Sequence, residues 1–591
     1  MSNPSLFEKL VPILHEDTDL IAVGKPAGMD AGRLPEGDRR GIAEILTDLR
    51  GLVEHLEPAN RLSRYESGVL LLAKSQAMLR HIRTGLRTGS IQQDYLAVVK
   101  GAIKGRGLRT LVGKPGRPES VWHRSATGEK HGLKTHATRL KTHASHGATR
   151  RRADQHEFVN VSVLRRAEGR LLVRCTTNAR STHAFRATLR SAGLHVLGDT
   201  MGGRSGGRES AVRTCLHLEK IAFYHPVARR KITIVAPVPI GFKDDAEGRD
   251  NVERLLTTAL AARVECLLDE STNAIRLING DAEGIPGVVA EKFGDIIVLQ
   301  VMEDRCQLTK TALGGIGRFY MEWFGAKAVY RKVFVKDRAQ PDRDVEAELK
   351  SSTPMLGRAV EPAVEVLERG MKLEIRPYDG FAVGLFLDHR ENRARVRELA
   401  DGKRVLNLFA YTCGFSVAAA LGGAASTVSV DISKAHLEWG KANFARNNIP
   451  LDTHQFIASD AFDYFKRARR QGRMFDLIIM DPPTFARMKK PRRTFSIIED
   501  LPTLVRESLL TLDRRGVMMV STNCRRLSTG KLTELVRAGG NGKVYCKGES
   551  KDHLCSTLCS PRRLRVIDTP PLPPDFAADP QHARTVFLRA D

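Results

Sequence analysis

The 591-residue sequence lacks the features that would place it in a membrane or outside the cell. No apolar run approaches the roughly 18 residues that a membrane span needs. The first residues, MSNPSLFEKL, contain no basic stretch followed by a hydrophobic one, which is the pattern of a secretory signal. Nine cysteines lie scattered along the chain without the spacing of a disulfide framework. We therefore expect a cytoplasmic protein with reduced thiols and no membrane partner.

Acidic residues are too few to balance the basic ones. The chain has 68 Asp and Glu against 94 Lys and Arg, a net charge of +26. An excess of this size indicates a polyanionic partner, and nucleic acid is favoured. The excess is concentrated in residues 100–154, where fourteen Lys and Arg face three acidic residues. This basic insertion is too polar to bury a core, so we expect local disorder, which is compatible with binding phosphates.

A zinc site is not expected. Cys546, His553, Cys555 and Cys559 lie close together near the end of the chain. Their spacing, C-x8-C-x3-C with one intervening histidine, fits no common zinc arrangement. The sequence therefore predicts a surface loop there and no bound metal.

Composition divides the chain into three predicted domains. Residues 1–245 mix short strands with Gly-rich turns, which favours an α+β domain. Residues 250–365 contain IRLINGDAEGIPGVVAEKFGDIIVLQV, a pattern of three strands joined by turns. Residues 366–591 alternate strand and helix, which predicts a doubly wound, Rossmann-like parallel sheet. The expected fold class is a multidomain combination of α/β and α+β.

Acidic residues end several predicted strands of the last region. In a doubly wound sheet the ligand binds at the carboxyl ends of the strands. There the sequence places a tight turn at Ala410–Phe415, then Asp431, Asp460 and the segment Asp481–Phe485. A single acid at a strand end is usually a cap or turn residue, but four in register are harder to explain that way. Their order fits a nucleoside cofactor, with Asp431 at the ribose and Asp460 near adenine.

The DPP turn favours S-adenosylmethionine as that cofactor. A dinucleotide-binding fold would need G-x-G-x-x-G after its first strand, and that pattern is absent. Pro482 and Pro483 stiffen the loop, and Phe485 is placed to stack on a flat acceptor, such as a base turned out of its helix.

The ordered motifs GLFLDHRENR, VLNLFAYTCGFSVAAALGGA, VSVDIS, LEWGKANFARNN and IIMDPPTFA resemble a known family. They are similar to the large-subunit ribosomal RNA methyltransferases of class I fold, in particular the K type, which makes 7-methylguanine, and the I type, which makes 5-methylcytosine. The segment RLINGDAEGIPGVVAEKFGD resembles the small domain that precedes the catalytic domain there, so the resemblance covers about residues 255–590.

The resemblance implies a set of site residues. It implies cofactor binding by Phe386, Asp388, Arg390, Asn407, Phe409, Tyr411, Gly414, Asp431, Ser433, Asp460 and Ala461. It implies an acceptor site with the catalytic residues Asp481, Pro482, Pro483, Phe485 and Asn523. Cys413 departs from the family, which usually has glycine in this turn, and we expect its side chain to crowd the cofactor.

The choice between the two reactions depends on a cysteine. Carbon 5 of a pyrimidine is not nucleophilic and needs covalent attack by a thiol, whereas guanine N7 already offers a lone pair. The cytosine type ends the relevant strand S-C-S, and Thr522 falls where that cysteine would be. Ser521, Asn523 and Arg525 match the S-N-N-K-R of the guanine type better, while Cys524 is two positions late. Guanine N7 is favoured, and cytosine C5 stays an alternative.

The stretch NRLSRYESGVLLLAK, which begins at Asn60, resembles the active loop H-R-L-D-x-x-T-S-G-L-L of pseudouridine synthases that act on large-subunit ribosomal and transfer RNA. LIAVGKP, QDYLAVVKG and LHVLGDTMGG also match in order, over most of residues 12–235. Ser63 replaces the essential aspartate, Asn60 the histidine and Glu66 the threonine. An unassisted serine hydroxyl is a poor nucleophile, and Glu66 would have to approach from a different point. We therefore expect a catalytically inactive platform that binds RNA.

The expected RNA contacts come from both ends of the chain. They are Arg61, Tyr95, Arg186, Lys489, Lys490, Arg492, Arg493 and Arg525. The basic run from Lys489 to Arg493, beside the DPP loop, has an alternative explanation as a solvated surface that contacts no RNA. The main prediction is an S-adenosylmethionine-dependent methyltransferase of large-subunit ribosomal RNA. The alternatives are a noncatalytic RNA-binding or ribosome-assembly factor and residual uridine isomerisation, and the sequence leaves the oligomeric state open.

Overall fold

The computed structural model describes most of the chain, in two compact units, Met1–Glu265 and Cys266–Asp591. The described residues are 3–33, 40–52, 56–103, 109–114, 117–124, 157–167, 169–199, 214–239, 242, 252–335, 343–488, 493–540, 563–576 and 582–590. Most of the basic insertion and the cluster around Cys555 lie outside them. The predicted central domain shares its unit with the last region, and the finer division at 245 and 365 stays a prediction.

The first unit is built on one mixed, largely antiparallel sheet with helices packed against it. Its strands run in the order β1-β2-β4-β11-β5-β9-β8-β6-β7, with β3 beside β4, β10 beside β5 and β12 beside β11. The strands are Ile13–Glu16 (β1), Leu20–Lys25 (β2), Glu57–Pro58 (β3), Ser67–Ala73 (β4), Gln92–Lys100 (β5), Arg109–Lys114 (β6), Arg117–Arg124 (β7), Glu157–Ala167 (β8), Arg170–Thr177 (β9), His195–Val196 (β10), Leu216–His225 (β11) and Arg230–Val235 (β12). The helices are Asn3–Leu10 (α1), Ile42–Arg50 (α2), Gln76–Thr88 (α3), Thr182–Ser191 (α4), Val252–Ala262 (α5) and Val264–Leu268 (α6), the last of which crosses into the second unit.

The second unit begins with a five-stranded sheet in sequential order and a hairpin. The three strands predicted from IRLINGDAEGIPGVVAEKFGDIIVLQV are confirmed as its first three. The sheet strands are Ala274–Asn279 (β13), Val288–Phe293 (β14), Ile296–Met302 (β15), Ala328–Phe334 (β16) and Leu356–Gly357 (β17), and the hairpin is Val364–Glu368 (β18) and Met371–Ile375 (β19). The helices of this part are Lys310–Phe324 (α7) and Arg343–Lys350 (α8).

A doubly wound sheet follows, as the sequence predicts, in the order β22-β21-β20-β23-β26-β28-β27. Its strands are Arg404–Leu408 (β20), Ser426–Asp431 (β21), His454–Ala458 (β22), Phe475–Met480 (β23), Leu512–Thr522 (β26), Leu564–Asp568 (β27) and Arg584–Ala590 (β28), and a separate hairpin is formed by Phe485–Met488 (β24) and Arg493–Ser496 (β25). The first five strands of that order pair in parallel, whereas β28 is antiparallel to both of its neighbours. The helices are Arg390–Leu399 (α9), Gly414–Leu421 (α10), Lys434–Arg446 (α11), Ala461–Arg470 (α12), Ile497–Leu509 (α13) and Thr529–Gly540 (α14).

Apolar packing explains why the second unit is continuous. One buried cluster joins Phe293 and Val298 of the small sheet to Val417 of α10 and Phe444 of α11. Two further clusters cover the faces of the doubly wound sheet. Because the carboxyl ends of β20, β21, β22 and β23 meet at one edge, this packing brings the turns that follow them together. Among the described helices, none is both long and apolar enough to span a bilayer.

Candidate cofactor and acceptor site

The turn between β20 and α10 has an unusual backbone. Phe409, Tyr411 and Cys413 have φ angles of 57°, 47° and 61°, the left-handed region that residues with a side chain rarely adopt. Hydrogen bonds from neighbouring elements hold this conformation. The Ala410 N–H donates to Val430 O at 3.0 Å, and the Thr412 hydroxyl donates to Gly384 O at 2.6 Å. Contacts with neighbouring elements therefore hold the strained turn, an arrangement that is common at functional sites.

Asp431 links this turn to the next strand. One carboxylate oxygen accepts the Tyr411 N–H at 2.9 Å, and the other accepts the Ser433 N–H at 2.8 Å. Burial alone would raise the pKa of Asp431, but the hydrogen bonds from His436, Ser433 and Tyr411 outweigh it and lower the pKa. The carboxylate is thus ionised and oriented, and the oxygen that accepts only the Tyr411 N–H keeps a lone pair for a ribose hydroxyl.

The Cys413 side chain packs against α11, whereas we expected it to crowd the cofactor. Its side chain is fully buried and points at α11, where a Cβ added to Gly440 would lie 2.3 Å from the sulfur. Burial raises the pKa of the Cys413 thiol to about 12, so it stays protonated at neutral pH. The absence of a side chain at Gly440 provides the space that the cysteine needs.

The predicted residues line a cavity of about 100 Å³ at this edge of the sheet. Its wall contains five predicted residues, Phe409, Asp431, Asp460, Ala461 and Pro483. Its lining also includes the apolar side chains of Val430, Ile432, Phe462, Ala486 and Phe495. The two carboxylates and the mostly apolar remainder of the wall fit an adenosyl group, whose ribose is polar and whose base is flat. Ile432, which is 62% exposed, was not predicted, although its position directly after Asp431 offered the signal.

Four of the predicted cofactor residues, including Asp460, have structural roles in this region. Asn407 is buried and donates to the Ser416 hydroxyl at 2.9 Å, and Gly414 begins α10. Ser433 caps α11 by accepting the His436 N–H. Asp460 caps α12, with one oxygen accepting the Phe462 N–H at 2.9 Å, so the ordinary role of an acid at a strand end accounts for part of its position.

Arg390 is not available to a cofactor, which corrects its predicted role. Its guanidinium is buried, donates to both oxygens of Asp575 at 2.7 and 3.0 Å and also donates to Ala274 O at 2.7 Å. Asp388 accepts the Ala583 N–H and lines another cavity, of about 140 Å³, together with Arg276. Phe386 is half-exposed, and its ring centroid lies 5.4 Å from that of Tyr411, at the rim of the turn.

The acceptor side is formed by the DPP loop and the end of β26. The Thr484 hydroxyl donates to Asn523 Oδ1 at 2.7 Å, which ties the two segments together. Pro482 is buried, and Phe485 is 53% exposed at the start of β24. Thr522 is fully buried, and Cys524 packs in the core beside Leu527. Arg525 is exposed, as expected for an RNA contact.

His389, which the sequence analysis did not single out, forms an ion pair with Asp481. Its Nε2 lies 3.2 Å from Asp481 Oδ2, and its Nδ1 lies 3.0 Å from the Asn392 amide nitrogen. Burial would lower the pKa of His389, but the Asp481 charge raises it overall. Burial would raise the pKa of Asp481, but His389 and a Ser521 hydrogen bond lower it. The motif DHR contained this histidine, but only the fold shows that it contacts the DPP loop.

Comparison with known proteins identifies two families that parts of this chain match. Residues 321–530 match the family model of S-adenosylmethionine-dependent methyltransferases, and residues 19–191 match that of RNA pseudouridylate synthases. The Bacillus subtilis protein YwbD, to which the activity of a ribosomal RNA large subunit methyltransferase is provisionally assigned, is 33% identical over 48% of this chain and 69% of its own length.

This chain belongs to the S-adenosylmethionine-dependent methyltransferases. Two further relatives of this methyltransferase are ribosomal RNA large subunit methyltransferases. The K/L enzyme of Saccharophagus degradans is 39% identical over 38% of this chain and 30% of its own length. The I enzyme of Erwinia tasmaniensis is 33% identical over 42% of this chain and 60% of its own length. The methyltransferase thus spans 30% to 69% of these three relatives.

The synthase-like loop of this methyltransferase places a buried carboxylate beside Ser63. Glu66 is fully buried, its Oε2 accepts the Ser63 N–H at 2.7 Å, and its Oε1 lies 3.5 Å from Arg186 Nε. The Lys25 ammonium donates to Glu66 O at 2.7 Å and Arg64 O at 3.2 Å. Burial lowers the pKa of Lys25 to about 7, against the charge of Glu66, which raises it. Ser63 itself is exposed.

Two predicted RNA contacts in this region are wrong. Tyr95 is 2% exposed, and its ring stacks on Phe185 with centroids 4.8 Å apart, so it has no face for a base. Arg186 is buried between Glu66 and Asp199, with its Nη1 3.1 Å from Asp199 Oδ1. Arg61 is exposed, as an RNA contact requires. Lys489, Lys490 and Arg492 lie outside the described residues, as does the side chain of Arg493.

We predict that Gly440→Ala destabilises the methyltransferase by about 1–3 kcal/mol, the usual cost of overpacking, because the new methyl group would overlap Cys413 Sγ. Cys413→Gly in the same chain should restore most of the lost stability. The measurement is urea unfolding. Gly315→Ala is the control, since nothing lies within 4 Å of that position in helix α7, and it should leave stability unchanged or increase it. Equal losses for the single and double variants would contradict the contact.

We also predict that Ser63→Asp alone forms no pseudouridine in RNA. The Glu66 carboxylate already accepts the Ser63 N–H and pairs with Arg186. A second carboxylate at position 63 would therefore be repelled by Glu66 and would lack a cation of its own. Pseudouridine mapping of treated RNA is the readout, with Ser63→Asn as the uncharged control. Turnover in the Asp variant but not in the Asn variant would show that Glu66 does not block the site.

Proposed function

We propose that this methyltransferase transfers the S-adenosylmethionine methyl group to guanine N7 in large-subunit ribosomal RNA. The RNA class is supported by the names of the K/L and I relatives, and by the net charge of +26. The proposal that the synthase-like unit binds RNA without isomerising uridine is supported by the exposed Arg61 and Ser63. The assignments of Asp431 to the ribose, Asp460 to the adenine side and Asp481 to the acceptor belong to the same proposal.

The position of the thiols is the observation that carries the choice of N7. Methylation at cytosine C5 needs a cysteine that reaches the base. At the end of β26 the fully buried Thr522 stands where that cysteine would be, and its hydroxyl accepts the Cys524 N–H at 3.0 Å. Cys524 is 4% exposed within the apolar core, so its sulfur has no path to a base. Cys413, another cysteine near the described part of the site, packs against Gly440 and does not face a base either.

The residues of the site fit a reaction that needs alignment rather than covalent help. When bound, S-adenosylmethionine supplies an electrophilic methyl group on a sulfonium. Asp431 orients the ribose, and the strained turn at Phe409–Cys413 fixes the position of the nucleoside. Phe485 offers an exposed ring on which the acceptor base can stack, and Asn523 holds the loop that carries this ring.

The test is methylation of large-subunit RNA from cells that lack this protein. Purified protein and labelled S-adenosylmethionine should place the label in 7-methylguanosine, identified by nuclease digestion and mass spectrometry. Label in 5-methylcytidine would overturn the choice of N7. Intact binding of S-adenosylmethionine without transfer to this RNA would overturn the substrate class.

We further predict that Cys524→Ala keeps kcat for RNA methylation within about threefold of the wild type, since no covalent adduct is formed. Removing one buried sulfur creates a small cavity, so unfolding is measured alongside. Asp481→Ala is the control that should lose activity. Complete loss in a folded Cys524→Ala variant would point to covalent catalysis.

A further inference from the structure

The strongest unassigned feature is a closed ring of hydrogen bonds around the DPP aspartate. His389 Nε2 contacts Asp481, and the Asn392 amide nitrogen contacts both His389 Nδ1 at 3.0 Å and the Thr585 hydroxyl at 2.9 Å. Thr585 in turn donates to the Ser521 hydroxyl at 3.1 Å, and Ser521 bonds to Asp481. These residues come from α9 and its entry, β26 and β28, so the ring joins three separate elements to one carboxylate.

The hydrogen bond from Asn392 defines the tautomer of His389. Because the Asn392 amide nitrogen faces Nδ1, that atom accepts a hydrogen bond and the imidazole proton lies on Nε2, directed at Asp481. The imidazole packs edge-on against the Phe415 ring at 5.4 Å, which prevents rotation. His389 is 5% exposed, whereas the Asp481 side chain is 29% exposed, so only the imidazole side of the pair is shielded from solvent.

The transfer reaction gives this carboxylate a role, if the proposed function holds. The N7 lone pair forms the new N–C bond as the S–C bond breaks with its electron pair left on sulfur, so the positive charge moves from the donor onto the guanine ring and no proton is released. A fixed negative charge beside the acceptor stabilises that developing cation. A carboxylate that is neutralised by a protonated neighbour loses most of this effect.

We propose that His389 is a positioning residue that holds the Asp481 carboxylate, through an Nε2–H hydrogen bond, as an oriented negative charge beside the cationic acceptor base. Neutral His389 leaves the pair with a net charge of one negative unit. Protonated His389 cancels it. The proposal rests on the proposed function for its catalytic consequence, whereas the pairing itself is tested independently of activity.

The sign of the pH dependence follows from the charges around the imidazole. Burial, Arg393 and the Asn392 amide donor at Nδ1 oppose protonation of His389, whereas Asp481 and Asp388 favour it, with a net rise of its pKa above the ordinary value of 6.5. As pH falls through this raised pKa, the imidazole gains its second proton and the pair loses its negative charge. The rate of methyl transfer should therefore fall on the acid side of neutrality.

The variants separate hydrogen bonding from titration. His389→Gln keeps a nitrogen donor at the place of Nε2 but cannot be protonated, so it should retain much of kcat at high pH and lose the acid limb of the pH profile. His389→Leu removes the donor and should lower kcat by roughly 100-fold at every pH, with an unchanged Kd for S-adenosylmethionine. His454→Gln is the matched control, since His454 bonds to Thr427 at the opposite end of the sheet.

A second readout does not use activity. In protein with 13C-labelled histidines, the signal that His389→Gln removes should titrate above pH 6.5 in the wild type and at lower pH in Asp481→Asn. A wild-type signal that titrates at the same pH in Asp481→Asn would overturn the pairing. An acid limb that persists in His389→Gln, or wild-type kcat in His389→Leu, would overturn the catalytic role. A wild type that methylates no RNA but shows the expected titration would refute the proposed function and leave the pair established.

Discussion

The left-handed turn at Phe409–Cys413 is the constraint on which the cofactor site depends. Placing a residue other than glycine in the left-handed region of backbone angles costs of order 1–3 kcal/mol, and Phe409, Tyr411 and Cys413 all lie in that region. The compensation comes from elsewhere: Val430 and Asp431 on β21, Gly384 before α9, and Asn443 of α11, whose amide donates to Thr412 O at 2.8 Å. The turn therefore takes its shape only when the sheet, α11 and the segment before α9 are assembled, so the pocket is a product of the whole unit.

Buried ion pairs tie the small sheet to this assembly. Arg390 and Arg393 lie three residues apart, which places them on one face of α9. Arg390 pairs with Asp575, and Arg393 donates to both oxygens of Glu368 at 2.6 and 2.7 Å. Such pairs are costly to desolvate and costly to break, so they specify one arrangement of β13, β18 and the helical turn Pro574–Phe576 more than they add stability. The two arginines of the segment DHRENR thus position the elements around the site.

The predictable part of the structure is the part with a local signal. Alternation of strand and helix located β20, β21, β22, β23 and β26, and the rule that ligands bind at strand ends then identified Asp431 and Asp460 without contact information. Side-chain direction was not predictable in this way. The position of Cys413 depends on Gly440, which is twenty-seven residues further along, and the burial of Tyr95 depends on Phe185. His389 lies next to a predicted residue, yet its partner Asp481 is brought to it only by the packing of α9 against the sheet.

In the synthase-like loop, the buried side chains are explained by the charges that they neutralise in the interior. A buried arginine and a buried lysine need a negative charge nearby, because an unpaired cation away from water is strongly unfavourable. Glu66 supplies that charge to Arg186 and Lys25 from a fully buried position, while Ser63 is exposed and has an uncharged side chain. Asn60, in place of a histidine, bridges β4 by donating to Val69 O and accepting the Leu71 N–H. Asn60 and Glu66 thus satisfy polar groups inside the domain, and Ser63 supplies no carboxylate at its own position in the loop.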